Sequence, residues 1–312
     1  MKVTRRQFSG SVLGGTLVGS STLNAQPTDV VVVGVEHGDI VRNRGADKDP
    51  NPSEMEDYTR LPASTTPASA FQAVVVRFVN LRTHQSTSSV VNEGLLSPSD
   101  RISGVTYLAD GSLLVAINRD SASADGAAPT RLVTLNQTPR TVFVSGLAQD
   151  QALDSLLLLK NRSLIGMVTK KDGTGPAHLV DVNPTTGAVT FTKRVSLPTD
   201  RRFSCLAEAA DGTLYTSVFR ANATTELWTL DLTRKTAAFS MKLTTFDGMA
   251  GPVPWYHGIQ SLVVTPAGQL TALANLEYRL PDTVYTIDLH TGFMKEVVGF
   301  PVSRAALATV KI

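Results

Sequence analysis

Three side chains stand out for the chemistry they could do: Glu36, His37 and His257. The run "VVVVGVEHGD" drives an apolar strand straight into a carboxylate and an imidazole, and "PWYHGIQ" sets another imidazole beside Trp255 and Tyr256. Carboxylate and imidazole together can hold a divalent cation, or serve as a general base and the group that orients it. No familiar signature accompanies them. The chain has no H-E-x-x-H, G-x-S-x-G, phosphate-loop or haem-attachment pattern, so the reactions those motifs support have no local mark here. Residues so far apart in sequence form a site only if the fold brings them together.

The elements that must do so repeat. "LADGSLLVA" at 108–116 returns in altered form as "LKNRSLIGM", "AADGTLYTS" and "TPAGQLTAL". Asp-Gly and its variants permit the positive φ of a tight hairpin, so each phrase reads as a turn from a first strand into a second. A second phrase follows each copy, as in "LVDVNPTTGAVT" and "VYTIDLHTGFMKEV". Two alternating apolar residues lead to Asn80, Asn136, Asn183, Asp231 or Asp288. Their side chains can accept backbone amides two residues on, ending a third strand and starting a turn into a fourth. Four short strands every ~50 residues is a propeller-blade period.

Neither the kelch nor the WD signature is present. The phrases D-G-x-L and L-x-x-[DN]-x-x-T-G resemble the broad group of exported propellers with YVTN, NHL and SMP-30-type repeats. The resemblance spans nearly all of 28–312 and implies an all-β propeller of four-stranded blades, and counting the repeats gives a five-bladed β-propeller. Four blades run at about 101–147, 150–198, 202–245 and 257–299. The fifth must use both termini, because "SRAALATVKI" is a first strand without a successor and "TDVVVVGVEHG" a second strand without a predecessor. Pairing them closes the ring and removes an open edge. An open solenoid and a six-bladed ring are the alternatives.

Propeller geometry sorts the loops. Turns from first to second strands and from third to fourth share one face, where His84 and His290 fall as solvated turn residues. The other face carries the two largest departures from the repeat, a long insertion at 37–70 and "FDGMAGPVPWYHG" at 246–258. Long loops on a compact scaffold are commonly functional. Second strands end on that face at Glu36-His37, Asn118-Arg119, Thr169-Lys170, Phe219-Arg220, and Asn275 with Glu277. First strands start there, nearest the axis, at Ser103, Asp154, Ser204, Gln260 and Arg304. The candidate ligand-binding set is Asn118, Asp154, Arg220, Gln260, Asn275, Glu277 and Arg304, with Trp255 and Tyr256 as aromatic walls. SMP-30-type propellers hold a metal on the axis with carboxylate and Asn ligands. That resemblance implies Glu36, Asn118, Asp154 and Asn275 as ligands for a divalent metal such as calcium. An ordinary axial salt bridge between Asp154 and Arg304 is the other reading of the same residues. The acidic stretch "DKDPNPSEMED" is a poor calcium loop, since Pro52 and Tyr58 occupy the glycine and glutamate places.

The first 25 residues have a basic front, a weakly apolar middle and an alanine end, and Thr4-Arg5-Arg6-Gln7-Phe8 resembles the twin-arginine (Tat) export motif. The expectation is a Tat signal peptide over 1–25, a periplasmic or otherwise exported chain, and the Tat translocase as a transient partner. The formal charge of the 312 residues is +2; loss of Lys2, Arg5 and Arg6 turns it slightly negative. No basic block then remains for nucleic acid, and no mature segment is long and apolar enough to span a membrane. Cys205 is the only cysteine, which rules out an internal disulfide and suits a small buried hydrophobe. Two functions stay open. One is a propeller that binds, and in a hydrolase- or lyase-like step transforms, a small organic ligand with Glu36, His37 and His257. The other is a non-catalytic scaffold that grips a periplasmic protein through Trp255 and Tyr256.

Overall fold

The apolar runs expected as second strands are buried on both faces rather than one. Leu113–Arg119 (β5), Leu164–Lys170 (β9) and Leu270–Ala274 (β19) are almost wholly buried along their length. Strands sandwiched between neighbouring sheets lose the polar-apolar alternation of a half-buried strand. Outermost strands differ: Arg140–Phe143 (β7) and Thr236–Lys242 (β15) are mostly exposed. This gradient from axis to rim is what a radial stack of sheets requires.

The computed structural model describes residues 30–37, 74–91, 96–97, 100–119, 130–135, 139–171, 173–191, 195, 197–219, 223–246, 251–275 and 282–307. Five antiparallel sheets are arranged as a five-bladed β-propeller. Val31–His37 (β1), Val74–Asn80 (β2) and Ser86–Val91 (β3) join Arg304–Leu307 (β22) in the first blade. Asp100–Tyr107 (β4), β5, Arg131–Leu135 (β6) and β7 form the second. Gln151–Leu158 (β8), β9, His178–Val182 (β10) and Val189–Thr190 (β11) form the third. Arg202–Glu208 (β12), Leu214–Phe219 (β13), Glu226–Asp231 (β14) and β15 form the fourth. Ile259–Val264 (β18), β19, Thr283–Ile287 (β20) and Phe293–Gly299 (β21) form the fifth.

The expected seam is present. β22 pairs antiparallel with β1, with Val32 opposite Leu307 and Val35 opposite Arg304. The innermost strands β22, β4, β8, β12 and β18 each contact the next around a closed circle. A separate hydrophobic cluster fills each gap between neighbouring blades, from Val33 and Ile102 between the first two to Val79 and Phe300 between the fifth and first. Stability is therefore spread around the ring, and the axis is left for other work. Among the described residues no helix is long and apolar enough to cross a membrane.

The segment after the fourth blade departs from expectation. Thr244–Phe246 (β16) and Pro252–Pro254 (β17) form a hairpin that adds to the fifth sheet, β16 running parallel to β21. The segment thus begins at the outer rim. A similar clasp joins Ser145 of the second blade to Ala188 of the third. Both clasps explain a sequence difference among the Asx turns. The fifth turn residue has positive φ at His84, Gly187, Lys235 and Gly292 alike. A Cβ on Gly187 or Gly292 would fall against the carbonyl oxygen of Phe143 or Lys242 in the clasping strand. At these two turns glycine stands where a neighbouring backbone docks.

Candidate functional site at the propeller axis

Four of the five innermost strands reach the axis through an irregularity. Register shifts lie between Ile102 and Gly104, Leu153 and Ser155, Ser204 and Ala207, and Ile259 and Ser261. A bulge leaves one residue unpaired and re-aims its side chain, which puts Ser103, Asp154 and Gln260 at comparable places around the ring. Ser204 precedes the shift in β12, and Arg304 opens β22. Their side chains knit the strands together. Ser103 Oγ donates to the Leu153 carbonyl at 2.6 Å, Ser204 Oγ to the Ile259 carbonyl at 3.3 Å, and Arg304 Nε to the Ser103 carbonyl at 2.9 Å. The free edge of an innermost strand has backbone groups to satisfy, and short hydroxyls from the adjacent blade do so.

Asp154 is the centre of this ring. Its side chain is 1% exposed, and three arginines converge on it. Arg101 lies at 3.4 Å and Arg304 at 3.9 Å from Oδ1, and Arg202 at 3.7 Å from Oδ2. They come from the blades on either side and from β22. The contacts are loose, and Oδ2 has no hydrogen-bond partner among the described residues. Burial holds the Arg304 guanidinium below its usual value; Asp154 opposes that, while Arg101 and Arg202 add to it. Guanidinium nonetheless stays protonated in proteins. Three cations around a single acid leave the cluster positive, and Arg101 and Arg202, about one-third exposed, can meet solvent. The arrangement can accept an anion.

Other residues at the axis are spoken for. The Asn118 amide donates to the Leu153 carbonyl at 3.0 Å and its oxygen accepts the Thr130 hydroxyl at 2.7 Å. Gln260 Nε2 donates to Asp282 at 3.2 Å, while its buried Oε1 has no partner among the described residues. Cys205 is buried, with its thiol 3.1 Å from the Ser217 hydroxyl, and burial pushes the thiol up to about 11. A thiol held neutral is a poor nucleophile.

The metal expected from resemblance does not fit these neighbours. A dication at Asp154 would face three guanidinium groups, and the Asn118 oxygen is already turned to the Thr130 hydroxyl. The axial salt bridge between Asp154 and Arg304 matches the contact found. Asn275 is half-buried just past β19. Glu36 and His37 end β1, opposite Val75 and Val74; their side chains lie outside the described residues, as do Arg220, Glu277, the segments 1–29 and 38–73, and the acidic stretch at 47–57.

Trp255 corrects the aromatic-anchor expectation. It is 1% exposed, packs edge-on against Tyr285 at 5.2 Å, and donates Nε1 to the His257 carbonyl at 2.8 Å. A buried indole with its N–H satisfied belongs to the core of the fifth blade. Tyr256 is 51% exposed. The His257 ring lies 5.6 Å from Trp255, and no contact joins it to the arginine cluster among the described residues. Arg101 and Arg202 are the functional candidates that sequence reasoning missed. A signal existed: Arg-Ile-Ser at 101–103 and Arg-Phe-Ser at 202–204 put arginine two residues before the axial serine in two blades.

An elongated cavity of about 540 Å³ runs along the axis below the cluster, with Ser103, Gln260 and Arg304 at its upper end.

No protein-family model and no curated protein matches the chain. Among solved structures it is similar to a protein of unknown function from Dyadobacter fermentans DSM 18053, at 10% identity over 79% of this chain and 76% of that one, TM-score 0.53. A structural-genomics target provisionally described as a gluconolactonase aligns at 16% identity over 77% and 78%, TM-score 0.43. TolB from Acinetobacter baumannii aligns at 14% identity over 76% of this chain and 52% of its own, TM-score 0.44. At such identities a likeness speaks to fold alone, and the chain is a five-bladed β-propeller.

Proposed function

We propose that this is an exported propeller that binds a small organic anion at its axis, on Arg101, Arg202 and Arg304. One observation carries the reading: among the described residues, three arginines share a single buried carboxylate and leave donors unspent. Carboxylates are the natural guests, because the guanidinium fork matches their two oxygens. The basic leader over 1–25 supports Tat-dependent export and a periplasmic place of work. Chemistry on the bound molecule would fall to Glu36, His37 and His257; binding is what the arginine cluster itself supports. The scaffold reading keeps Tyr256 as an exposed contact and has lost Trp255.

Titration calorimetry of the purified chain against acetate, succinate and other small carboxylates tests the proposal. The Arg101→Gln/Arg202→Gln pair should weaken binding by at least about tenfold; it also leaves the buried Asp154 with Arg304 alone and so lowers the melting temperature, and binding is compared well below that temperature. A pair that binds as tightly as the parent would make the cluster a structural plug.

A further inference from the structure

The axial cavity has two unlike ends and an apolar middle. Arg304 closes the upper end with Ser103 and Gln260. Val105, Leu156, Leu206, Leu262 and Leu307, one from each of the five blades, make the middle mainly apolar, with Thr106, Ser155 and Ser261 beside them. Tyr107 also lines it, and burial raises its phenol so that the group stays neutral. The lower end is rimmed by Ala109, Lys160 and Arg162, exposed residues of the turns leaving β4 and β8, and by the half-buried Glu208, whose carboxylate accepts the Lys160 backbone N–H at 2.7 Å. It therefore opens on the short-turn face, opposite the long loops. The length is set by the strands: five residue steps from Ser103 to Leu108 span about 17 Å. Backbone groups of the innermost strands that would need water are partly met from within, as where Leu158 N–H donates to Thr106 Oγ1 and Ala305 N–H to Ser261 Oγ.

From this arrangement we infer that the ligand is an unbranched aliphatic monocarboxylate, whose head lies at Arg304 and whose tail fills the channel. The inference rests on the anion-binding reading and adds the chemical class of the guest. Arg304 supplies charge complementarity inside the cavity: its Nε and one Nη are bound to the Ser103 and Ser303 carbonyls. Its other Nη sits 3.9 Å from Asp154, too far for a hydrogen bond. That nitrogen can serve a carboxylate. Neutral aliphatic walls suit a methylene chain and would reject a second charge. Lys160 and Arg162 outnumber Glu208 among the lining residues of this rim and leave it net positive, so the acid enters head first from the short-turn face.

The experiment needs only the parent chain. Calorimetry is run with acetate, butanoate, hexanoate, octanoate and decanoate, and with octan-1-ol and octylammonium as probes of the head. Affinity should rise about fourfold per added methylene, and level off once the chain matches the channel length. The alcohol and the ammonium ion should bind far more weakly than octanoate. Equal affinity for acetate and octanoate would overturn the channel site while leaving the anion site standing. Octylammonium binding as well as octanoate would overturn the role given to Arg304. Failure of every carboxylate, acetate included, would instead remove the anion site on which the inference rests. Arg162→Glu, on an exposed turn, should slow octanoate association several-fold at low salt and have no effect at high salt; an unchanged rate at low salt would overturn the proposed route.

Discussion

Asp100 and Asp154 are two buried acids at the head of innermost strands, each faced by arginines, yet they are held in different ways. The Asp100 side chain is 2% exposed and is closed in. Its Oδ2 takes the Ser97 N–H at 2.8 Å and the Arg131 guanidinium, and its Oδ1 takes Arg119 at 3.3 Å. Among the described residues Asp154 has one hydrogen bond, at 3.4 Å from Arg101, and two further arginines beyond hydrogen-bond reach. A structural ion pair spends its donors on the acid it neutralises. Around Asp154 the donors are gathered and, among the described residues, left unspent, and that difference is what the proposed anion site draws on.

Five substitutions break or sharpen that contrast. The largest effect should follow Asp100→Ala, which strands two partly buried arginines and costs about 3 kcal/mol in denaturant unfolding. Asp154→Asn should cost about 1 kcal/mol and tighten carboxylate binding roughly tenfold, because a competing negative charge has gone. If the two acids prove equally costly to remove, the contrast between them is lost. Gly173→Ala comes next. A Cβ at Gly173 would fall on the Arg202 guanidinium, 2.5 Å from Cζ, at a φ of +78°. Gly212 has a φ of +87° and open space around it. Both alanine variants should lose about 1–2 kcal/mol to left-handed strain, and only Gly173→Ala should also weaken the anion several-fold. Matching losses of affinity would show that Arg202 has no part in the site. The smallest effect belongs to Cys205→Ala, which should change acetate binding by less than twofold. In the parent chain the Cys205 thiol, raised to about 11, should resist iodoacetamide at pH 8 until the protein unfolds; rapid labelling of the native chain would contradict its burial.

Much of this was legible beforehand, for identifiable reasons. Asn80, Asn183 and Asp231 each accept the two following turn amides through one side-chain oxygen. That chemistry is local, and so it shows in the sequence. Counting along the repeats also reached Ser103, Asp154, Gln260 and Arg304, because strands of equal length place equivalent residues at equal depth. Trp255 was misread for the opposite reason. An aromatic in a proline-rich segment looks like a surface anchor, and only its packing against Tyr285 shows otherwise. Arg101 and Arg202 escaped notice because charge was weighed strand by strand, while their significance comes from one acid in a third strand.

The sequence by itself determined the blade period, the turn chemistry and the terminal seam, since each depends on residues a few positions apart or on an open strand needing a partner. The tertiary structure alone decided the electrical sign of the axis. Arg101, Asp154, Arg202 and Arg304 come from four separate blades, and their fields add only where the closed ring sets them within 4 Å of one carboxylate. Coulomb energy depends on separation in space, and separation along the chain carries no trace of it.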